Sequence, residues 1–198
     1  MTPGLPAWLK PAVFVVALLP LARLFILGQS GGLGANPVEF VTRSTGTWAL
    51  VMLCVTLAVT PLRRLSGWNT VVRLRRMLGL FAFFYATLHF VIFLWLEHWF
   101  DVAAMLRDVF ERPFVTAGFI AFALLVPLAA TSTQTMIRRL GGARWRALHR
   151  LVYLAAPLAV LHFWWHKAGK NDFAEPTVYA IVVAVLLALR LPGLRRRK

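Results

Sequence analysis

Six long apolar stretches follow one another along the chain, separated by short polar segments, at 11–27, 45–62, 77–96, 114–131, 148–165 and 177–191. About 20 helical residues, each rising 1.5 Å, cover the roughly 30 Å hydrocarbon core of a bilayer, so each stretch predicts one membrane-spanning helix. The expected fold class is an all-α integral membrane protein, a six-transmembrane-helix bundle forming a single domain over 1–198. The connections leave no room for an extramembrane domain, and the sequence shows no internal repeat. Lys10 ahead of the first apolar run resembles the start of a signal peptide, but Arg23 interrupts that run and no A-x-A-like cleavage site follows. It is read as an uncleaved first span.

Composition agrees with this picture. Hydrophobic residues make up 60% of the 198 and mean hydropathy is +0.71, against about half apolar residues in soluble domains. A net charge of +15 raises the question of nucleic acid, but the charges sit in clusters between spans, where membrane topology accounts for them. No nucleic-acid partner is expected. One side of the six-span arrangement carries Lys10, the 63–76 arginines, the 138–150 arginines, and Arg190, Arg195, Arg196, Arg197 and Lys198. The other has only Arg43, Arg107, Arg112, Lys167 and Lys170, together with all seven acidic residues. By the positive-inside rule both termini are then cytoplasmic.

The single cysteine, Cys54, rules out an intramolecular disulfide, a CxxCH haem attachment and a cysteine-held zinc or iron–sulfur centre. Within an apolar span it reads as a small buried hydrophobe.

Histidines inside the spans are the candidate chemistry, because an unsatisfied polar group in hydrocarbon costs several kcal/mol and so needs a partner. His89 lies 12 residues into the third span from Met77, and His162 lies 14 residues into the fifth from Leu148. Both spans run in the same direction, which predicts two imidazoles at nearly equal depth in the outer half. Bis-histidine haem ligation requires such a pair, with one neutral nitrogen on each face of the iron.

His149 precedes His162 by 13 residues, which puts it about 20 Å deeper and about 140° around an ideal helix. Pro157 between them is expected to kink or rephase that helix. A ligand role and an interfacial role both fit His149, since arginines flank it. His98 and His166 read as interfacial or surface residues. Arg23, about 18 Å from the inner edge at 1.5 Å per residue, either snorkels to the outer headgroups or partners an anionic group such as a haem propionate. Phe163, Trp164 and Trp165 line a pocket or form an interfacial aromatic belt.

A histidine-lined transition-metal ion transporter is the alternative function, and a purely structural membrane subunit a third. Transport sites generally add carboxylates, thiols or thioethers within the membrane, whereas none of the six spans contains Asp or Glu and the five methionines form no motif. The balance favours haem.

Several pieces together carry a family resemblance: GANPVEFVTRSTGTWAL at 34–50, TPLRR at 60–64, RRMLGL at 75–80, the span of His89, Thr131 with Ser132, and RRLGGARWRALHRLVY at 138–153 followed by LHFWW. Over nearly its whole length the chain resembles the MsrQ (YedZ) family. The shorter W-x-x-L-H-x-L-x-Y, here Trp145, Leu148, His149, Leu151 and Tyr153, is similar to the wider ferric reductase and NADPH oxidase transmembrane domain. The resemblance implies a b-type haem protein of the bacterial inner membrane, with FMN as a further cofactor. It implies electrons drawn from membrane quinone and delivered to a periplasmic molybdenum reductase, MsrP, which repairs methionine sulfoxide in envelope proteins. The family's haem histidines fall on His89, His149 and His162. In the wider superfamily a second histidine stands on the third span, but 13 residues before His89 this chain has Arg76. One haem at the outer level is therefore expected, with His149 serving an inner haem, flavin or quinone.

There is no nicotinamide fingerprint, since GGLG at 31–34 lies in an outer connection. Paired carboxylates and a nucleophile with its base are also missing, so substrate chemistry belongs to a partner and the chain reads as a non-catalytic electron conduit. The outer segment 31–44 either docks that partner or caps the bundle.

Overall fold

The computed structural model describes residues 6–190. Residues 1–5 and 191–198, including Leu191 of the sixth expected span and the basic group Arg195, Arg196, Arg197 and Lys198, lie outside the described residues. Among the described residues every regular element is helical. The chain divides into two compact units, 1–102 and 103–198.

The first unit is built on α1 (Leu9–Gln29), α2 (Pro37–Ser66) and α3 (Arg75–Ile92). A 3-10 turn, Asn69–Leu74, leads into α3, and a π turn, Phe93–Glu97, extends it. Helix α2 begins well before the span expected at 45, so much of the segment read as an outer connection is helical. The reason is local chemistry. Asn36 caps the helix by accepting the Glu39 N–H at 3.1 Å, Pro37 fills the first turn where no N–H is needed, and Glu39 complements the helix dipole. Arg43 then pairs with Glu39 one turn on, at 3.5 Å. At the other end Gly67 takes φ 70° and donates its N–H to the Arg63 carbonyl at 3.1 Å, a left-handed cap that a side chain would strain.

Helices α2 and α3 pack along each other, and Val59, Val71, Leu74 and Leu78 form a buried cluster around the 3-10 turn, with Leu9 and Val13 of α1 against it. Tyr85 is fully buried and its hydroxyl donates to the Ala17 carbonyl at 2.7 Å, tying α3 to α1. Tyr85→Phe removes one neutral hydrogen bond and should cost about 1 kcal/mol. Thermal unfolding in detergent checks this, and an unchanged transition would show that the bond contributes nothing.

The second unit holds α5 (Pro113–Ala130), α8 (Val152–Ala168) and α9 (Ala174–Ala188), preceded by α4 (Val102–Glu111), which starts at the boundary, and with the short α6 (Gln134–Leu140) and α7 (Gly142–Leu148) between α5 and α8. Hydropathy alone gives no signal for α4. It is amphipathic, with Met105 and Val109 buried and Arg107 and Glu111 exposed. Ahead of it Trp99 and Phe100 adopt φ 49° and 63°, a left-handed turn that ends the third span. Helix α8 packs against α5 and α9. Between α7 and α8 a single 3-10 turn, His149–Leu151, interrupts the α-helical phase, while α8 runs as one helix through Pro157.

Five helical stretches are long and apolar enough to cross a membrane: Leu9–Gln29, Pro37–Ser66, Asn69–Glu97, Pro113–Ala130 and Gly142–Ala168. The sixth expected span corresponds to the shorter α9, Ala174–Ala188. The protein is an all-helical integral membrane protein.

Candidate functional site

In the first unit His89 projects from α3 onto α2. Its Nδ1 lies 2.9 Å from the Thr42 carbonyl oxygen. A carbonyl can only accept, so Nδ1 carries a proton, and in the neutral ring the lone pair is then on Nε2, the form in which imidazole binds a metal. The Thr45 hydroxyl stands 2.9 Å from both the Val41 and the Thr42 carbonyl oxygens. The ring lies so close to α2 that a Cβ on Gly46 would be 3.0 Å from His89 Cε1 and 3.1 Å from Nδ1.

The second unit repeats this arrangement with unrelated sequence. His162 projects from α8 onto α5, its Nδ1 is 2.7 Å from the Phe114 carbonyl oxygen, and the same tautomer follows. A Cβ on Gly118 would lie 2.7 Å from Nδ1, 2.9 Å from Cε1 and 3.0 Å from Cγ of that ring. The Phe114 ring stacks on His162 at 6.1 Å between centroids.

His149 is anchored differently. Its Nδ1 meets the Trp145 carbonyl of its own helical stretch at 3.1 Å, and its ring stacks on the Trp145 indole at 4.0 Å. That indole in turn donates to the Thr131 carbonyl at 2.9 Å, which ties α7 to the end of α5. His166 is exposed, with its ring 5.7 Å from Phe114, and half-buried His98 packs edge-on against Phe93 at 4.7 Å. Arg23 is exposed, its guanidinium 5.9 Å from the ring of Phe40 near the start of α2. Arg76 is likewise exposed, in the first turn of α3. Among the described residues no group of three or more His, Cys, Asp or Glu side chains is gathered as for a free metal ion.

Sequence reasoning missed three features. Gly46 and Gly118 are glycines inside spans, a pattern that signals close approach of another group, yet neither points to a histidine without the fold. A cleft lined by Asn36, Val38, Glu39, Thr42, Arg43 and Glu97 opens beside the residue whose carbonyl holds His89. Lys167, expected among exposed outer charges, is buried.

Helices carrying cross-helix-anchored imidazoles are in keeping with what comparison finds. Residues 45–160 match the family described as ferric reductase like transmembrane component, which sets the class of this protein. The matched stretch includes His89 and His149 and stops just short of His162. Three similar proteins carry the name protein-methionine-sulfoxide reductase heme-binding subunit MsrQ. The one from Herminiimonas arsenicoxydans is 61% identical over 92% of this chain and 84% of its own length. Those from Ralstonia nicotianae and Bordetella pertussis are 60% and 59% identical, over 94% and 96% of this chain and 90% and 92% of theirs. The chain belongs to the MsrQ family.

Proposed function

We propose that this protein is a haem-binding electron-transfer subunit of a protein-methionine-sulfoxide reductase system. In this reading it takes electrons from membrane quinone, with FMN as a second cofactor, and passes them to a periplasmic molybdenum reductase of the MsrP type. The setting is the bacterial inner membrane, with both termini cytoplasmic and the two units acting as one ferric reductase-like transmembrane domain.

The observation that carries the reading is the placement of His89 Nδ1 at 2.9 Å and His162 Nδ1 at 2.7 Å from a main-chain carbonyl oxygen. Each donates Nδ1–H to a main-chain carbonyl of a neighbouring helix, which fixes the ring and leaves the Nε2 lone pair as the metal-binding one. Haem brings its own equatorial nitrogens and asks only one or two axial ligands of the protein. Two singly placed imidazoles fit that demand, whereas a transported metal ion would need a gathered donor set, and none occurs among the described residues. His89 and His162 would hold a b-type haem, which when bound supplies a one-electron centre within the membrane. Arg23, exposed beside Phe40, is the propionate partner in this reading. His149, whose Nδ1 meets the Trp145 carbonyl of its own helical stretch, serves the inner side where electrons arrive.

The visible spectrum of the full chain, purified in detergent after haem-supplemented expression, tests this. A Soret band that sharpens and shifts on reduction is expected, and its absence sinks the haem reading. His149→Ala should keep most of the band while slowing its reduction by quinol. Complete haem loss in that variant, with retention in His162→Ala, would overturn the assignment of the outer pair.

A further inference from the structure

We propose that Gly46 and Gly118 are positioning residues for the two axial histidines: each uncovers the helix carbonyl four residues before it, so that the peptide oxygens of Thr42 and Phe114 seat His89 and His162 and set how strongly their Nε2 atoms donate to haem iron. The inference rests on the haem reading above.

In an α-helix the carbonyl of one residue points at the N–H four residues later, and the side chain of that later residue lies beside the same oxygen. This chain shows it directly. The hydroxyls of Thr56, Thr87 and Thr177 reach the carbonyls of Met52, Phe83 and Phe173, each four residues earlier, at 2.7, 2.9 and 2.6 Å. A side chain at that position therefore occupies the open side of the carbonyl. Glycine vacates it, and the second lone pair of the oxygen becomes reachable for a donor from another helix.

At Thr42 and Gly46, and again at Phe114 and Gly118, the vacated space holds an imidazole. Two helices in separate units with unrelated local sequences, TRSTG and FVTAG, arrive at the same carbonyl–glycine seat for the same kind of ring. Ordinary helix packing calls for no such coincidence.

The electronic consequence follows from the hydrogen bond. An Nδ1–H donated to a carbonyl makes the imidazole a stronger σ-donor through Nε2, which favours ferric iron and lowers the reduction potential. Displacing the ring from its seat weakens that bond and raises the potential.

The two seats differ in tightness, so the alanine variants are predicted to differ. At Gly118 the added Cβ would fall 2.7 Å from Nδ1 and 2.9 Å from Cε1, closer than real contacts allow, and the ring must move. At Gly46 the nearest approach is 3.0 Å, and a shift of a few tenths of an ångström relieves it. Gly79 of α3 provides the control, because its Cβ would meet only Thr56 Cγ2 at 3.6 Å, an ordinary contact.

The experiment compares the full-length chain with Gly46→Ala, Gly118→Ala and Gly79→Ala in detergent, reading haem per protein, midpoint potential and the low-spin EPR spectrum. Gly79→Ala should match the parent. Gly46→Ala should retain haem with a raised potential and altered g-values, and Gly118→Ala should lose most of its haem. Potentials and spectra identical across all four proteins would overturn the proposal, whereas a parent without a Soret band would instead refute the haem reading. To separate misfolding of Gly118→Ala from displacement of the ring, His162→Gly is supplied with imidazole in solution, with and without Gly118→Ala. A free ring can shift away from the new methyl, so equal haem recovery in both backgrounds supports seating. Recovery only where Gly118 is present would make the glycine's role structural and overturn the proposal.

Discussion

His162→Ala should abolish most of the Soret band, and His89→Ala should do the same. A haem in this chain has no covalent attachment, because the single cysteine forms no CxxCH. If His89 and His162 hold it as proposed, its retention would rest on those two rings and on pocket packing. Losing an outer-sphere partner of a metal ligand typically lowers affinity about 10–100-fold, and losing the ligand itself exceeds that. Each alanine would also leave unfilled the space between its helix and the glycine it packs against. His98→Ala and His166→Ala are the matched comparisons, since one ring packs on Phe93 and the other is exposed, and both should keep the parent spectrum. Haem content per protein, measured by the pyridine haemochrome method, decides the matter. A His162→Ala protein with full haem, beside a His166→Ala protein without it, would move the outer ligand one turn along α8.

Much of this was legible in the sequence for one physical reason: hydrocarbon admits only long apolar helices, so each span announces itself by hydropathy. That His89 and His162 stand inside long apolar helical stretches was legible on the same ground. Polar helical turns were not. The residues from Pro37 to Ser44 look like a loop by hydropathy, although the Asn36, Pro37, Glu39 capping pattern was present to be read. Helix α4 escaped for the same reason, being too short and too polar to register as a span.

What seats the histidines was illegible for a different reason. The hydrogen-bond partners lie 47 and 48 residues away from His89 and His162 in the chain and are peptide oxygens, which carry no residue-type signal. The glycines were visible as letters, but only helix pairing shows what fills the space they leave. Lys167 misled in the opposite direction, because a charge near a span end ordinarily stays in water.

That lysine supports the second large prediction, an asymmetry between the partners of a buried ion group. Lys167 is only 3% exposed, and its Nζ donates to Asp172 Oδ2 at 2.5 Å and stands 3.4 Å from Glu175 Oε2, while the carboxylate side chains are 46% and 61% exposed. The Phe163 ring lies 5.9 Å from the same ammonium. Removing both acids with Asp172→Asn and Glu175→Gln strands a buried cation, a change that costs about 3–5 kcal/mol where the charge cannot reach water. Removing the cation with Lys167→Met leaves two carboxylates already half in solvent and fills the site with an apolar chain of similar length, so the loss should stay within about 1 kcal/mol. The double acid variant should therefore unfold at clearly lower temperature in detergent than Lys167→Met. It should also release haem faster, because Lys167 lies little more than one helical turn beyond His162 on α8. Equal destabilisation by the two variants would mean that the attraction itself, rather than the cost of stranding the lysine, governs this end of the helix.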